Sequence, residues 1–200
     1  MLTRLKKRVQ SLLATTAKLL HNLGVTPNQI SAMGILLAFL SGCSFWAWQH
    51  NRLLLIVAPI LFLLSGLCDA LDGVVARLHG EITAFGGFLD SLLDRYADSF
   101  ILVAMIISGL CEVSWGSIAL VGSLLVSYVR ARAEVAGVKM ETVGLTERAE
   151  RILVLALASF AAFFWLGALY WSVGILAVLT NLTVLQRTIY FYNKSKQKES

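Results

Sequence analysis

Five aspartates lie in one short stretch between long apolar runs, and their placement constrains the fold more than any other feature of the sequence. They are all the aspartates of the 200-residue chain: Asp69, Asp72, Asp90, Asp94 and Asp98. An ionised aspartate near the centre of a membrane helix costs about 2.5–3.5 kcal/mol on insertion scales. A bound cation is the simplest way to offset that cost. The stretch therefore predicts a cation-binding site within a bundle of apolar helices.

The composition is typical of an integral membrane protein. Hydrophobic residues make up 58% of the sequence and charged residues 14%, and the mean hydropathy is +0.75. Such values exclude a soluble globular domain. Cys43, Cys68 and Cys111 lie in or beside apolar runs, so we interpret them as small core residues and not as a disulfide framework.

The spacing of the aspartates predicts two rows of carboxylates on two helices. Asp69 and Asp72 are three residues apart, and the remaining three follow one another at intervals of four, so each set shares one helix face. Facing helices of this kind gather carboxylates around one or two hard cations such as Mg²⁺ or Mn²⁺. Zinc is disfavoured, because the stretch contains a single histidine, His79. Four glycines permit a turn and a close approach between the rows: Gly73, Gly80, Gly86 and Gly87.

The same stretch resembles the complete signature of the CDP-alcohol phosphotransferases. From Asp69 to Asp94 it is D-x2-D-G-x2-A-R-x8-G-x3-D-x3-D, with all eight fixed positions at the family's spacing over 26 residues. Members of this family displace CMP from a CDP-linked alcohol with the hydroxyl group of a second alcohol. The alternative of an inert bundle, in which the carboxylates pair with Arg77 and Arg95, does not explain why glycines and aspartates stand in register.

The resemblance assigns roles to individual residues. It implies two Mg²⁺ or Mn²⁺ ions held by four carboxylates: Asp69, Asp72, Asp90 and Asp94. Asp94 would also be the catalytic base that takes the proton of the acceptor alcohol. The CDP-lipid would be bound by a further set: Gly73, Arg77, Thr83, Pro27 and Asn28. Asp98 lies outside the signature, and we expect it to pair with Arg95 or with another polar partner.

Basic segments at the ends of the later helices point to the acceptor alcohol. Segments 127–134, 144–151 and 183–187 resemble the branch of the family that uses inositol 1-phosphate to make phosphatidylinositol phosphate or archaetidylinositol phosphate. This resemblance implies an acceptor phosphate site of arginines: Arg130, Arg151, Arg187 and Arg148. Two alternatives stay open. One is glycerol 3-phosphate as the acceptor, and the other is a divalent-cation transporter, since carboxylates inside a membrane also mark ion paths.

The apolar runs predict an all-α polytopic membrane protein with six transmembrane helices. The predicted spans are 28–48, 53–78, 83–111, 115–137, 147–168 and 170–191. Residues 2–23 before them are basic and carry apolar residues at helical spacing, so we expect an amphipathic helix on the membrane surface. The whole chain, residues 1–200, is then one membrane domain with a juxtamembrane helix (1–24) and a six-helix bundle (28–191).

Local signals predict where the first span begins, and the basic residues predict its orientation. Thr26 suits the N-cap, and Pro27 suits the first helical position. Of the 17 Lys and Arg residues, Arg52 alone falls on the side opposite to the chain termini, so the termini are expected in the cytoplasm. The net charge of +5 then reflects topology in the plasma membrane and not nucleic-acid binding. The aspartates lie at the cytoplasmic ends of two spans, and the family resemblance also implies a homodimer.

Overall fold

The computed structural model of the chain describes residues 13–140 and 143–199, and every regular element in this part is an α-helix. This confirms the all-α prediction. Helix α1 covers residues 13–22. The helices that follow are α2 (Pro27–Trp46), α3 (Leu54–His79), α4 (Ala84–Ile107), α5 (Val113–Val135), α6 (Arg148–Ala162) and α7 (Gly167–Glu199).

Local sequence signals set the ends of the helices that frame the aspartates. The Thr26 N–H donates to Gln29 Oε1 at 2.9 Å and Pro27 begins α2, which confirms the predicted start of this helix. Thr83 caps α4, because its Oγ1 accepts a hydrogen bond from the Gly86 N–H at 2.9 Å. Gly80 ends α3 with a φ of +71°, in the left-handed region that glycine enters without a steric penalty.

The helices pack in a bundle in which α2 and α7 contact different partners. Helix α2 packs against α3 and α4, α5 packs against α4 and α7, and α6 lies against α3 and α7. The largest buried cluster draws side chains from all six helices α2–α7, among them Phe45, Leu55, Ile101, Ala119, Leu155 and Leu169. This packing brings the beginning of α6 towards the aspartates of α3 and α4.

The described part of α1 closes one end of the bundle. Ala17 is fully buried in a small cluster with Ile30 of α2 and with Leu71 and Val75 of α3. The helix stops before Gly24, which has a φ of +79°, as the sequence predicts. Residues 1–12, which form the first half of the predicted amphipathic helix, lie outside the described residues.

Within the described residues, four helices are long and apolar enough to cross a membrane: α2, α3, α5 and the Gly167–Lys196 part of α7. Helix α4 is long enough but carries four charged side chains. Helix α6 has 15 residues, about 22 Å at 1.5 Å per residue, whereas the hydrocarbon core of a bilayer is roughly 30 Å thick. It ends at Ala162 and not at the predicted residue 168, because the chain turns over residues 163–166 before α7 begins.

Large apolar side chains cover much of the outer surface of the bundle. Leu157 is 67% exposed, Ile107 66% and Ile175 55%. Soluble monomers rarely expose contiguous apolar surface on this scale, whereas a helix facing lipid must do so. The chain is therefore a membrane protein, as its composition predicts.

Helices α5 and α7 pack closely at Gly122, and this contact gives a test of the packing. A Cβ atom at this position would lie 2.3 Å from Thr180 Oγ1 and 2.9 Å from Thr180 Cβ, and Thr180 is fully buried. We expect Gly122→Ala to lower the free energy of unfolding by about 1–3 kcal/mol, the usual cost of overpacking. Thermal unfolding in detergent measures the change.

Gly174→Ala on α7 is the matched control, because no atom lies within 4 Å of a Cβ there. Alanine is the better helix former, so this substitution should leave the unfolding temperature unchanged or raise it. Equal unfolding temperatures for the two variants would contradict the close packing of α5 on α7.

Candidate active site

Carboxylates from α3 and α4 converge at one end of the bundle. Asp69 and Asp72 lie one turn apart on α3, and Asp90 faces them from α4, so that carboxylate oxygens of all three lie within 4.8 Å of one another. Asp72 is only 5% exposed. Buried like charges at this separation repel strongly, and an added cation relieves that repulsion. The donor set consists of hard oxygens, which fits Mg²⁺ or Mn²⁺.

Arg148, the first residue of α6, inserts its guanidinium group among these carboxylates. Its Nη1 lies 2.6 Å from Asp94 Oδ1 and 2.8 Å from Asp69 Oδ2. This nitrogen is buried, yet neither contact has the geometry of a hydrogen bond. Arg148 therefore supplies positive charge to Asp69 and Asp94 without satisfying its own donor there. That arrangement also fits a site whose oxygens are shaped for a metal ion and not for a planar guanidinium group.

Ser31 of α2 is a member of the site that the sequence analysis missed. Its hydroxyl group donates a hydrogen bond to Asp72 Oδ2 and so fixes the orientation of that carboxylate. The signal was present in the spacing, because Ser31 follows Asn28 by three residues and shares its helix face. A serine inside an apolar helix is common for other reasons, and the spacing alone did not single it out.

A cavity of about 430 Å³ opens between α2, α3 and α4 beside the carboxylates. Asp72 and Asp90 form part of its wall. The structure brings together around it all the residues predicted to bind the CDP-lipid: Pro27, Asn28, Gly73, Arg77 and Thr83. It adds two residues of the α3–α4 loop that the sequence analysis did not single out, Glu81 and Ile82.

Gly73 matters for the shape of this cavity. A Cβ at this position would lie 3.2 Å from Nη1 of Arg77, whose guanidinium group folds back over the glycine. Thr83 both lines the cavity and caps α4, so its hydroxyl group has a structural partner already. The cavity therefore presents one guanidinium group, the backbone at Gly73 and three carboxylates, those of Asp72, Glu81 and Asp90, to a ligand.

The arginines predicted to bind the acceptor also come together, from α5, α6 and α7. The positive charges of Arg130 and Arg151 both act on the guanidinium group of Arg187. Arg187 is 4% exposed and Arg151 6% exposed. Cations are seldom buried side by side unless an anion joins them, so this grouping is consistent with a binding site for an anion.

Each of these arginines also has a partner within the protein. Arg187 donates from Nε to the Val143 carbonyl at 2.8 Å and from Nη1 to the Val126 carbonyl at 2.6 Å. Arg151 donates from Nη2 to Asp98 at 3.0 Å. Arg130 is the most exposed of the three and pairs with Glu134 of the same helix at 2.8 Å. Arg187 thus ties the α5–α6 loop to α7, whereas Arg130 is held only by a surface pair.

The sequence analysis expected Asp98 to pair with Arg95 or with another polar partner, and the choice of Arg95 was wrong. Asp98 contacts Arg148 and Arg151, while Arg95 turns back along α4 to the Ser91 carbonyl and lies 3.4 Å from Asp94. The reason is that the first turn of α6 presents two arginines to the same side of α4. A tertiary contact of this kind outweighs the local spacing on one helix.

The fold and the site together define a helical membrane protein with a carboxylate-rich cation site beside a polar cavity. Residues 24–190 match the model of the CDP-alcohol phosphatidyltransferase family, and the chain belongs to this family and is a transferase. The archaetidylinositol phosphate synthase of Pyrococcus horikoshii is 36% identical over 199 residues, which span 100% of this chain and 99% of that protein. Membership of a transferase family removes the basis for the transporter alternative.

Solved structures with the same fold come from the phosphatidylinositol phosphate synthase of Mycobacterium tuberculosis. The crystal structure with CDP-DAG bound has a TM-score of 0.78 and 26% identity, and the match covers 91% of this chain and 94% of that one. The complex of the same enzyme with manganese and citrate also has a TM-score of 0.78 at 26% identity, and covers 90% of this chain and 88% of the other. The same fold therefore occurs in an enzyme that has been crystallised with CDP-DAG and with manganese and citrate.

The carboxylate group predicts how metal binding responds to substitution. Asp69→Asn, Asp72→Asn and Asp90→Asn should each weaken Mn²⁺ binding by at least tenfold, since loss of an outer-shell partner alone costs roughly 10–100-fold. Electron paramagnetic resonance of free Mn²⁺ measures the dissociation constant on purified protein.

Glu112→Gln is the control for these substitutions. It changes the net charge by the same amount, but Glu112 precedes α5 and contacts Tyr170, away from the carboxylates. Mn²⁺ affinity in the three aspartate variants that matches Glu112→Gln would show that the converging carboxylates do not hold the metal.

Proposed function

We propose that the protein transfers the phosphatidyl-type group of a CDP-lipid to inositol 1-phosphate and releases CMP. The observation that carries this proposal is a continuous chain of charged contacts from the carboxylate site to the buried arginines. It runs from Asp69 and Asp94 through Arg148 to Asp98 and Arg151. The proposed site for a negatively charged acceptor is thus separated from the proposed metal-binding carboxylates by a single side chain, that of Arg148.

The cavity between α2, α3 and α4 is the proposed site of the CDP-lipid. Arg77 binds diphosphate oxygens as a fork, and Gly73 lets the diphosphate approach the backbone. The other proposed contacts are Pro27, Asn28 and Thr83, which line the same cavity. The CDP-DAG complex of the M. tuberculosis relative supports a CDP-linked lipid as the donor. Both CDP-archaeol and CDP-diacylglycerol present this headgroup.

The four carboxylates are the proposed ligands of two divalent ions, Mg²⁺ or Mn²⁺. When bound, such ions neutralise the diphosphate and stabilise charge on the leaving group. Asp69, Asp72 and Asp90 already converge, and Ser31 orients Asp72. Asp94 lies at the edge of this group against Arg148. In our proposal it also takes the proton of the acceptor hydroxyl group as the general base.

The arginine cluster is the proposed site of the acceptor's phosphate. Arg130, Arg151 and Arg187 come from three helices, and Arg148 joins them to the carboxylates. A phosphomonoester binds such a cluster through charge-assisted hydrogen bonds. The relative from P. horikoshii is named for an inositol phosphate product, which favours inositol 1-phosphate over glycerol 3-phosphate as the acceptor.

For the membrane arrangement we propose six spans in one domain over residues 1–200, with the active site facing the cytoplasm across the plasma membrane. Asp94 and Asp98 of α4 pair with Arg148 and Arg151 inside the bundle, which lowers the cost of placing this helix across the bilayer. The turn after α6 is aromatic at Phe163, Phe164 and Trp165, which is typical of a membrane interface. The basic residues set the orientation, and we propose a homodimer on the strength of the family resemblance.

An acceptor screen tests the function directly. Purified protein with Mn²⁺ or Mg²⁺ and either CDP-archaeol or CDP-diacylglycerol should release CMP with inositol 1-phosphate and should do so poorly with free inositol, because the arginine cluster then lacks its anion. Release of CMP and formation of the phospholipid are measured together. Faster turnover with glycerol 3-phosphate would show that this compound is the acceptor instead. Equal turnover with inositol and inositol 1-phosphate would show that the enzyme does not require the acceptor's phosphate.

Arg130 gives the sharpest test of the acceptor site, because its removal disturbs the fold least. A charge-assisted hydrogen bond is worth about 1.5–3 kcal/mol, so Arg130→Ala should raise the KM for inositol 1-phosphate by roughly 10- to 100-fold. The KM for the CDP-lipid should hardly change. Arg132→Ala is the control, since Arg132 lies one turn from the same end of α5 and is also exposed.

Arg151→Ala extends this test to the buried part of the cluster. Arg151→Ala should also raise the KM for inositol 1-phosphate by roughly 10- to 100-fold, because Arg151 belongs to the proposed phosphate site, where Asp98 holds its guanidinium group. If Arg130→Ala and Arg151→Ala had the same KM for inositol 1-phosphate as Arg132→Ala, the arginine cluster would not be the site of the acceptor's phosphate.

A further inference from the structure

Asp98 joins the two arginines of the first turn of α6 and has no place in the family signature. Its Oδ1 accepts from Arg148 Nε at 3.3 Å, and its Oδ2 accepts from Arg151 Nη2 at 3.0 Å. The side chains of Asp98 and Arg151 are 14% and 8% exposed. A carboxylate that uses one oxygen for each of two buried guanidinium groups fixes the distance and the relative orientation of those groups.

The guanidinium group of Arg148 faces different carboxylates with its two ends. Nε is hydrogen-bonded to Asp98, whereas Nη1 lies against Asp69 and Asp94 without hydrogen-bond geometry. Asp69 also belongs to the converging carboxylates that fit a metal ion. A divalent cation and a guanidinium nitrogen at the same oxygens repel each other, and this repulsion is strong where water is scarce. The bond from Nε to Asp98 does not involve these oxygens, so it can persist when a metal ion displaces Nη1 from them.

We propose that Arg148 competes with the divalent metal for the oxygens of Asp69 and Asp94, and that Asp98 keeps the displaced guanidinium group beside Arg151. Asp98 is then a positioning residue, which acts on the acceptor through the two arginines. Metal binding turns Arg148 from a counter-ion of the carboxylates into a ligand for the acceptor's phosphate. The competition rests on the contacts alone, whereas the link to the acceptor rests on the proposed function.

This arrangement couples two binding events. Binding of the metal frees Arg148 for a phosphate, and a phosphate that holds Arg148 on the acceptor side clears the carboxylates for the metal. Linkage requires each ligand to tighten the other by the same factor. The acceptor site is thus completed when the metal needed for the transfer is present, which limits binding of the acceptor to enzyme that can react.

Mn²⁺ affinity in the absence of any substrate tests the competition. Arg148→Gln removes the competing charge and should tighten Mn²⁺ binding by about fivefold or more, within the usual range of coupling between sites. Arg148→Lys keeps the competing charge but loses the bond from Nε to Asp98, so it should not share this gain and should bind Mn²⁺ no more tightly than the wild type. Asp98→Asn leaves the charge of Arg148 to Asp69 and Asp94 alone, and should weaken Mn²⁺ binding by a similar factor.

Two controls match the changes in net charge. Arg52→Gln removes a cation that contacts the Phe164 carbonyl near the start of α7, and Glu112→Gln removes an anion at the start of α5. Thermal unfolding of every variant without metal verifies folding. Mn²⁺ affinity of Arg148→Gln equal to or weaker than that of Arg52→Gln, or equally tight binding by Arg148→Lys and Arg148→Gln, would overturn the competition. Affinity of Asp98→Asn equal to that of Glu112→Gln would overturn the role of Asp98.

Inorganic phosphate is the probe for the coupling. In the wild type it should tighten Mn²⁺ binding about fivefold or more, measured after correction for Mn²⁺–phosphate pairing in buffer, and Arg148→Gln should abolish most of this gain. An undiminished gain in Arg148→Gln would show that phosphate acts on the metal directly and would overturn the coupling. The proposed function and the competition can fail independently. If the acceptor screen found another preferred acceptor, the proposed function would change, whereas the Mn²⁺ affinities measured without substrate would still test the competition.

Discussion

The balance between buried carboxylates and buried arginines is the interaction on which the rest of the structure depends. The aspartates of α3 and α4 lie in an apolar bundle, where an unpaired charge is expensive. Two arginines in the first turn of α6, Arg148 and Arg151, form ion pairs with these aspartates. Its N-terminus also brings the positive end of the helix dipole to the same place. This explains why so short a helix packs at the centre, between α3 and α7.

The docking of α6 in turn positions the acceptor side. The loop before it is tied to α7 by side chains of that helix, since Arg187 bonds to the Val143 carbonyl and Thr183 Oγ1 accepts from the Leu145 N–H at 3.3 Å. Glu147 caps α6, with its N–H donating to Glu150 at 2.9 Å. Arg187 therefore has a structural role as well as a charge. For that reason exposed Arg130 separates binding from stability better than Arg187 does.

The sequence predicted the parts of the site that follow from spacing along one helix. Asp69, Asp72 and Asp90 stand in register on α3 and α4, and their convergence needed only that the two helices meet. The partners of Asp98 could not be read in the same way, because Arg148 and Arg151 follow it by 50 residues or more and reach it through packing. The length of α6 was also missed, since the apolar run continues through residues 163–168 although the helix does not.

The two halves of the site are built differently, and this difference bears on how specificity is set. The donor half uses neighbouring turns of α2, α3 and α4, so its residues constrain one another and changes there disturb the carboxylates. The proposed acceptor half takes Arg130 from α5, Arg151 from α6 and Arg187 from α7, and among the described residues Asp98 and Arg148 connect it to the carboxylates. In the proposed site, a substitution such as Arg130→Ala therefore changes acceptor binding while the carboxylates and the cavity between α2, α3 and α4 stay intact.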